Sequence, residues 1–416
     1  MEYIRLISHT LSAYALYYPI FMTHVWLFGS LIFYWKWERN TSDTPPAQAE
    51  LPVSILLPCH NEGENLRETI HWLLKQNYSN FEIIAINDGS KDNTGAILDE
   101  LAFAEPRLRT VHFSRNQGKA MGLRMGAMIS RNEILVCIDG DAVLHPDALR
   151  WIMPHFINSP RVGAVTGNPR VRNRSTLLGK IQVGEFSCII GMIKRAQRVF
   201  GRVFSVSGVL VAFRKTALHQ CGYWSTDMVT EDVDITWKLQ RNYWDIRFEP
   251  NAKCFIWMPE TLRGLWHQRL RWAQGGAEVL LKNVDLITHW KARRMWPILI
   301  EAIASILWVY SVLLLLILSV IGYLIDLPFL HAVFWLNGHG PNMLLLMTAL
   351  LQFGVGLFLD RRYERGLMFN YFWIIWYPLV YWIISAATAA IGFPKAILKK
   401  QGQRATWVSP DRGFKP

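Results

Sequence analysis

The chain has 416 residues, 51% of them hydrophobic and 18% charged, and 44 Lys+Arg against 32 Asp+Glu give a net charge of +12. This balance excludes a disordered chain, which needs few apolar residues, and the length predicts two or three domains. A basic chain often binds nucleic acid, but long uncharged runs instead predict a membrane protein whose cations flank the spans and meet an anionic ligand.

The first element is an apolar run near the N-terminus. Residues 11–35 carry no formal charge and are long enough to span about 30 Å of hydrocarbon. The run ends in Tyr34-Trp35-Lys36-Trp37-Glu38-Arg39, an aromatic and basic boundary typical of a membrane surface. It is too long for a signal-peptide core and lacks a small-residue cleavage site. We therefore expect an uncleaved anchor over residues 1–40.

A soluble domain is predicted over residues 41–258. Apolar strands at 53–57, 81–86, 109–113 and 134–138 alternate with helical patterns at 64–76, 94–104 and 119–130. This alternation predicts an α/β domain with a parallel sheet covered on both faces. The absence of GxGxxG after the first strand argues against a dinucleotide site, and the absence of GxxxxGK[ST] excludes a P-loop enzyme. Five scattered cysteines without a CxxC pair predict a reducing compartment and no zinc or disulfide framework.

Three predicted strands end in polar clusters. They are Cys59-His60-Asn61-Glu62, Asn87-Asp88-Gly89-Ser90 and Asp139-Gly140-Asp141. A lone Asp-Gly is usually an ordinary turn, but open α/β sheets bind ligands beyond the carboxyl ends of their strands. Three acid-bearing clusters at one edge therefore predict a site.

The Asp139-x-Asp141 pair suits a divalent metal. Mg²⁺ or Mn²⁺ binds one or two carboxylates together with phosphate oxygens and water, and such a metal neutralises charge on a leaving diphosphate. This chemistry predicts a nucleotide-sugar donor. We place Asp88 near its base or ribose and Lys119 near its diphosphate, although an exposed lysine at a helix start explains Lys119 at least as well.

Two motifs follow the sheet pattern. Thr230-Glu231-Asp232 precedes a helix at 233–241, where it is either an ordinary N-terminal cap or the source of a general base, Asp232. Gln268-Arg269-Leu270-Arg271-Trp272 lies in a basic amphipathic segment, 259–296, predicted on the membrane surface. In the more specific interpretation, Arg271 also binds a diphosphate and the indole of Trp272 packs against a sugar ring.

Three apolar segments are predicted within residues 297–394, at 297–325, 342–359 and 369–393, followed by a basic tail, 395–416. Three full crossings from a cytoplasmic domain would place this tail outside, whereas basic segments favour the cytoplasm. Either the last segment, which contains Pro378, is partly re-entrant or interfacial, or the charge rule fails. The sequence leaves both alternatives open.

With Asp88, Asp139-x-Asp141, Thr230-Glu231-Asp232 and Gln268-x-x-Arg271-Trp272 in this order, the chain resembles processive family 2 glycosyltransferases. These are the membrane synthases of cellulose, chitin, hyaluronan and poly-N-acetylglucosamine. Residues 160–195, Val206-Ser207-Gly208 and the tail from Trp407 to Gly413 resemble the branch that makes poly-β-1,6-N-acetylglucosamine in bacterial biofilms. The likeness runs from about Tyr18 to Gly413.

The resemblance implies a GT-A-type (Rossmann-like) α/β catalytic domain joined to an α-helical transmembrane bundle. It implies inverting, processive transfer of N-acetylglucosamine from UDP-N-acetylglucosamine to a growing chain, coupled to export. The implied site residues are Asn61, Glu62 and Asp88 at the uridine end, Asp139 and Asp141 at the diphosphate with the metal on Asp141, Asp232 and Glu231 at the reacting hydroxyl, and Gln268, Arg271, Trp272 and Trp407 along the acceptor and channel. Lys119 and Arg271 are also expected in the donor site, at the diphosphate, by the argument from the residues given above.

The resemblance also implies partners and a location. The chain is expected in the bacterial inner membrane as a multi-pass protein with a cytoplasmic catalytic domain and no nucleic-acid partner. Relatives work with a small membrane subunit, and cyclic di-GMP can act through that pair. The tail resembles a gating segment that brings its Trp to the active site, which requires a cytoplasmic C-terminus.

Other functions stay open at this point. The sugar and linkage rest on resemblance alone, so the product could be another β-linked polysaccharide such as hyaluronan, chitin or a cellulose-like chain. A transferase that adds one sugar to a lipid carrier commonly lacks the QxxRW element, which argues against that alternative. A pore or transporter usually has a charged pathway, whereas Glu301 is the only acid in the predicted spans.

Overall fold

The computed structural model describes residues 2–47, 50–326, 339–400 and 402–406. Its centre is an eight-stranded sheet with the strand order β3-β2-β1-β4-β7-β6-β8-β5. The strands are β1 (Val53–Cys59), β2 (Phe81–Asp88), β3 (Leu108–Phe113), β4 (Ile134–Ile138), β5 (Val143–Leu144), β6 (Val162–Val171), β7 (Leu210–Arg214) and β8 (Asp245–Ile256).

Helices cover the sheet and extend beyond it. Those of the first 282 residues are α1 (Glu2–Phe33), α2 (Leu66–Leu74), α3 (Thr94–Ala104), α4 (Lys119–Ile129), α5 (Ala148–Ile157), α6 (Leu177–Phe186), α7 (Ile193–Phe200), α8 (Lys215–Gln220), α9 (Glu231–Arg241) and α10 (Leu262–Lys282). They are followed by α11 (Trp296–Leu324), α12 (His339–Asp360), α13 (Tyr371–Ile374) and α14 (Tyr377–Leu398). Short π-helices at Tyr34–Glu38 and Ser187–Met192 and 3-10 helices at Val284–Ile287, Trp290–Met295 and Leu367–Asn370 complete the set.

The sheet is mixed. β1 pairs in parallel with β2 and β4, and β2 with β3, as the alternating pattern predicts. In the rest of the sheet β6 and β8 are also parallel, but the prediction is wrong for three pairings, because β7 runs antiparallel to β4 and β6, and β5 antiparallel to β8. An apolar run shows that a strand is buried, but its direction is set by the path of the connections, which the pattern does not contain.

The two faces of the sheet carry separate hydrophobic cores. One lies under α4, α8 and α9. The other lies under α2, α3 and α5 and also includes Phe353 and Leu357 of α12. Each fully buried leucine or phenylalanine contributes about 1.5–3 kcal/mol, so the sharing of this core fixes α12 against the α/β domain.

Within the part of the chain that the structure describes, three helices are long and apolar enough to cross a membrane: Arg5–Glu38, Trp290–Leu324 and Met343–Asp360. The predicted segment 369–393 is divided between α13 and α14, and α14 runs over 22 residues from Tyr377 to Leu398. Both ends of the segment adjoin the α/β domain, because Glu364 pairs with Arg170 before it and Lys399 donates to the backbone carbonyl of Asp227 after it. This geometry favours the re-entrant or interfacial alternative over a full crossing.

A buried charge network fastens the anchor to the rest of the chain. Arg195 of α7 is fully buried and pairs with Glu38 at 2.7 Å and with Asp360 at 2.8 Å. Arg170 of β6 reaches the other oxygen of Asp360 at 2.5 Å. The network therefore joins the end of the anchor, the α/β domain and the end of α12. α1 also approaches α7 closely at Gly29, where an added Cβ would lie 2.7 Å from Ala196 Cβ.

Candidate active site

The polar clusters predicted at the strand ends meet at one edge of the sheet. β1, β2 and β4 are parallel neighbours, so their carboxyl ends lie side by side. Glu62 is 1% exposed, and a Cβ on Gly140 would lie 3.1 Å from its Cγ. The first and third clusters are thus in contact, as expected from their position after buried strands.

Lys119 lies at the centre of this edge. Its amino group is 2.5 Å from Asp139 and 3.3 Å from Glu231, and it donates to the carbonyl of Gly208 at 3.2 Å. Burial disfavours the ammonium, but the carboxylates of Asp139, Glu231 and Asp232 outweigh it and raise the pKa of Lys119. The alternative of an exposed lysine is therefore wrong, since only 16% of the side chain is exposed.

Asp232 occupies the first turn of α9. Its carboxylate accepts from the backbone N–H of Val233 at 2.9 Å, and a Cβ on Gly208 would lie 3.2 Å from its Oδ2. Burial, followed by the charge of Glu231, raises the pKa of Asp232 to about 6, while Lys119 and Arg271 act in the opposite direction. A carboxylate with this pKa suits general base catalysis near neutral pH.

The structure keeps part of the ordinary cap, because Thr230 is the N-cap residue of α9 and Glu231, Asp232 and Asp234 lie in its first turn. The side chain of Thr230, however, makes no capping hydrogen bond. Its hydroxyl is buried and has no hydrogen-bond partner among the described residues. Instead it packs against α10, where a Cβ on Gly275 would lie 2.2 Å from Oγ1. The two motif-bearing helices are therefore in direct contact.

The carboxylate of Asp88 is held by hydrogen bonds from the protein backbone. It is fully buried, and its carboxylate accepts from the backbone N–H groups of Gln117 at 2.6 Å and Gly118 at 2.8 Å. These bonds hold the turn before α4, where Gly118 has a φ of +88°. Asp88 thus positions the turn that presents Lys119.

His60 is a site residue to which the sequence analysis gave no role. Its Nδ1 lies 2.8 Å from the carbonyl oxygen of Asp88, and Asn116 Nδ2 lies 3.1 Å from its Nε2. Its neighbour Asn61 is exposed, has a φ of +54°, and accepts from the backbone N–H of Lys91 at 2.8 Å. The histidine thus links the first two clusters, a connection that no local pattern contains.

A second buried amino group lies behind Gly208. Lys194 of α7 donates to the hydroxyl of Thr166 at 3.3 Å, and this hydroxyl also accepts from the backbone N–H of Ser207 at 2.8 Å. Burial lowers the pKa of Lys194 to about 7, opposed by the charge of Asp232. Sequence reasoning missed this lysine because it lies in an ordinary amphipathic helix.

The QxxRW motif lies on α10, with Gln268 and Trp272 partly buried and Arg271 exposed. Arg269, to which the sequence gave no role, pairs with the fully buried Glu185 at 2.7 Å and lies 4.2 Å from the centre of the Trp272 ring. A guanidinium over an aromatic face is attractive. The pair therefore fixes the orientation of Trp272.

The beginning of the tail returns to the same edge. Arg404 donates to the side chain of Gln117, and the backbone N–H of Ala405 donates to the carbonyl of Thr226 at 3.0 Å. A Cβ on Gly118 would lie 2.3 Å from the carbonyl oxygen of Ala405. The predicted gating residue Trp407 lies outside the described residues, two positions after this contact.

The mixed sheet with its acidic edge defines a glycosyltransferase of the GT-A type. A family model described as glycosyltransferase like family 2 matches residues 50–275, and the chain belongs to this family. It is 40% identical over 408 residues to the poly-beta-1,6-N-acetyl-D-glucosamine synthase of Staphylococcus epidermidis, covering 96% of this chain and 98% of that relative. The synthase of the same name from Staphylococcus aureus is 41% identical over 406 residues, with the same coverage.

A solved structure supports the fold. The mannosyltransferase of Pyrobaculum calidifontis, in complex with GDP-Man and Mn²⁺, superposes with a TM-score of 0.61 and 20% identity. The match covers 94% of this chain and all of that one. It therefore includes apolar helices as well as the sheet.

Proposed function

We propose that this glycosyltransferase is a processive synthase that transfers N-acetylglucosamine from UDP-N-acetylglucosamine to a growing poly-β-1,6-N-acetylglucosamine chain and exports it in biofilm formation. The observation that carries this proposal is the 40% identity to a synthase of that polymer over 96% of the chain. Both the catalytic domain and the membrane helices fall within the match. The divisions at residues 40, 258, 296 and 394 are part of the same proposal.

The reaction is a single displacement at the anomeric carbon. The acceptor hydroxyl, with its proton passing to Asp232, forms a bond to C1 of the donor sugar. The bond from C1 to the β-phosphate oxygen breaks, and UDP leaves with the electron pair. Attack opposite the leaving group inverts the α-linked donor to a β-linkage. Glu231 holds Lys119 on the donor side at 3.3 Å and raises the basicity of Asp232.

The donor lies along the sheet edge. We place its uridine between Asn61, Glu62 and the turn that Asp88 holds, and its diphosphate near Lys119 and Asp139. Arg271, exposed on α10, adds a second cation at the diphosphate. Two cations facing the leaving group stabilise the charge that develops there.

The residues at the strand end fit a divalent metal. Within the described residues, no group of three His, Cys, Asp or Glu could hold an ion alone. Such a group of three protein ligands is not needed, because Mg²⁺ and Mn²⁺ bind nucleotides through one or two carboxylates with phosphate oxygens and water. Asp139 pairs with Lys119, and we assign Asp141 as the ligand. When bound, the metal neutralises charge on the leaving diphosphate.

Asp141→Ala is expected to weaken metal-dependent binding of UDP by about tenfold or more, because a ligand to the metal is lost. Calorimetric titration of the purified chain with UDP, with and without Mn²⁺, measures this directly. Binding of UDP without metal should be equal in variant and wild type. An unchanged dependence on Mn²⁺ would remove Asp141 from the site.

The rate of transfer is expected to fall as pH drops through about 6. A base accepts a proton only when ionised, so the active form is complete above the pKa of Asp232, raised to about 6 by burial and by Glu231, and is lost below it. The check is kcat for polymer synthesis from about pH 3 to about pH 8. If kcat instead fell only at about pH 4, the ordinary pKa of an aspartate, the assignment of Asp232 as the base would be contradicted.

The acceptor lies at Gln268 and Trp272, with the sugar ring against the indole. If Arg269 positions that indole, Arg269→Met together with Glu185→Gln removes the ion pair without leaving a buried charge. This double variant should fold normally, raise the acceptor KM by about tenfold and leave the donor KM unchanged, since ring stacking contributes roughly 1 kcal/mol or more. Arg269→Lys should fall between, because lysine keeps the charge but not the planar stack. If the double variant kept the acceptor KM of the wild type, the role of Arg269 would be purely structural.

The contacts of the helices support a particular arrangement in the membrane. We propose the bacterial inner membrane, with the N-terminus outside, the catalytic domain cytoplasmic, a crossing out and back through α11 and α12, and α14 at the interface. The tail then stays cytoplasmic, in agreement with its charge, and can bring Trp407 to the site. A small membrane subunit and control by cyclic di-GMP belong to this proposal.

Donor selectivity tests the substrate. Purified chain in lipid nanodiscs is expected to release UDP from UDP-N-acetylglucosamine at least about tenfold faster than from UDP-glucose, because a site built to hydrogen-bond an acetamido group discriminates strongly against its absence. Equal rates, or faster release from UDP-glucose, would assign another β-linked polymer to the same fold and mechanism.

A further inference from the structure

A cavity far from the acidic edge carries an excess of positive charge. It has a volume of about 270 Å³ and is lined by Ser159, Arg161, Arg202, Tyr243, Asp245 and Arg294. Its one acid is already shared, because Asp245 pairs with Arg198 at 3.1 Å and with Arg247 at 3.3 Å. Among the described residues, the three arginines of the wall therefore make no ion pair with a carboxylate.

One detail indicates that the cavity is built for an anion. Arg202 donates to the carbonyl of Gly201, but its Nε is buried and has no hydrogen-bond partner among the described residues. Burial, followed by repulsion from Arg294, lowers the pKa of this guanidinium, and the charge of Asp245 acts in the opposite direction. A buried donor without a partner is costly unless a ligand uses it.

The cavity adjoins two membrane helices. Arg294 lies in the 3-10 helix Trp290–Met295, at the start of the candidate span Trp290–Leu324. Arg202 follows α7, which packs against the anchor at Gly29. Exposed apolar side chains lie close in sequence to two of the arginines: Phe200, two residues before Arg202, is 52% exposed, and Trp290, four residues before Arg294, is 67% exposed. An anion that enters here with apolar chains attached can lay them along the helices.

We propose that this cavity binds the phosphate of an anionic phospholipid from the leaflet next to the catalytic domain. Guanidinium groups match phosphate oxygens in geometry and charge, and the hydroxyls of Ser159 and Tyr243 add donors. Basic pockets beside membrane helices on the cytoplasmic side are suited to such headgroups. The bound lipid joins β6, the turn after α7 and the segment before α11, and so fixes the catalytic domain to the bilayer. This site is independent of the reaction and of the sugar.

Native mass spectrometry of the full chain in detergent, titrated with phosphatidylglycerol and separately with phosphatidylcholine, tests the proposal. Wild type should bind phosphatidylglycerol more tightly. Arg202→Gln with Arg294→Gln should weaken that binding by about tenfold or more, because two of the three cations that face the phosphate are lost. The matched control is Lys291→Gln with Arg293→Gln, which removes the same charge from the same segment, since Arg293 faces Trp290 rather than the cavity.

An equal loss in the control variant would mean that general surface charge attracts the lipid, and the proposal would be wrong. Competition by glycerol 1-phosphate or inorganic phosphate at the affinity of the lipid would also overturn it, because the cavity would then serve a soluble anion. If the double variant fails to fold, Arg161→Gln, an exposed residue, replaces it. This single change should weaken binding of phosphatidylglycerol by a few-fold, and no change would count against the site.

Discussion

Replacing Asp232 by asparagine is expected to abolish polymer formation while donor binding stays close to wild type. Asparagine keeps the volume of the side chain and can still accept from the N–H of Val233, the bond of 2.9 Å that orients the group. It cannot take the proton from the acceptor hydroxyl, and loss of a general base lowers a rate by about a hundredfold or more. Incorporation of labelled sugar into polymer and calorimetric binding of UDP measure the two effects separately.

The control for this variant is Asp234→Asn on the same helix. It removes the same charge from the first turn of α9, but Asp234 faces Lys282 at 2.6 Å and Lys238 at 3.4 Å instead of the acidic edge. The rate per folded molecule should be retained. If Asp232→Asn kept the wild-type rate, or if Asp234→Asn lost it equally, Asp232 would not be the base.

The second large effect concerns stability. Asp360→Asn is expected to destabilise the folded chain by about 3–5 kcal/mol, the cost of leaving buried charges without their partner. Asp360 is fully buried between Arg170 and Arg195, which are 3% and 0% exposed. Thermal unfolding of the purified chain in detergent, followed by tryptophan fluorescence, gives the size of the loss.

Asp43→Asn is the matched control. This residue is also an aspartate paired with an arginine, Arg362 at 3.0 Å, but its side chain is 90% exposed. Exposed pairs contribute roughly 0–1 kcal/mol because water screens them. Equal destabilisation by the two changes would show that the buried network does not hold the anchor to the catalytic domain.

Local pattern predicted the first half of the fold well. β4 has the predicted bounds and β1, β2 and β3 differ by one or two residues, because an apolar run that ends at a polar turn specifies a buried strand. The three antiparallel pairings were not predictable from such runs, since direction depends on the connections. The buried charge network around Glu38 could not be predicted either, because Arg195 lies 157 residues from Glu38 and 165 from Asp360 in the chain.

The candidate site, like the fold, could be predicted from the sequence only in part. The separated motifs and their order could be read from the sequence, and the carboxyl ends of parallel strands placed three clusters together. The pairing of Lys119 with Asp139 and Glu231, and the inward position of Asp88, depend on packing between elements far apart in sequence. The contacts of Arg269 with Glu185 and Trp272 were not predicted, because a basic residue on an amphipathic helix is usually solvent-exposed.

Synthesis of polymer by membranes that carry the full chain tests the central claim most directly. Radiolabelled UDP-N-acetylglucosamine is supplied with Mg²⁺ or Mn²⁺, with and without a candidate partner subunit. We expect a product of high molecular weight that a β-1,6-hexosaminidase degrades and that Asp232→Asn membranes do not make. Label confined to an organic-soluble lipid would instead identify a single-sugar transferase, and consumption of a different UDP-sugar alone would contradict the assigned substrate.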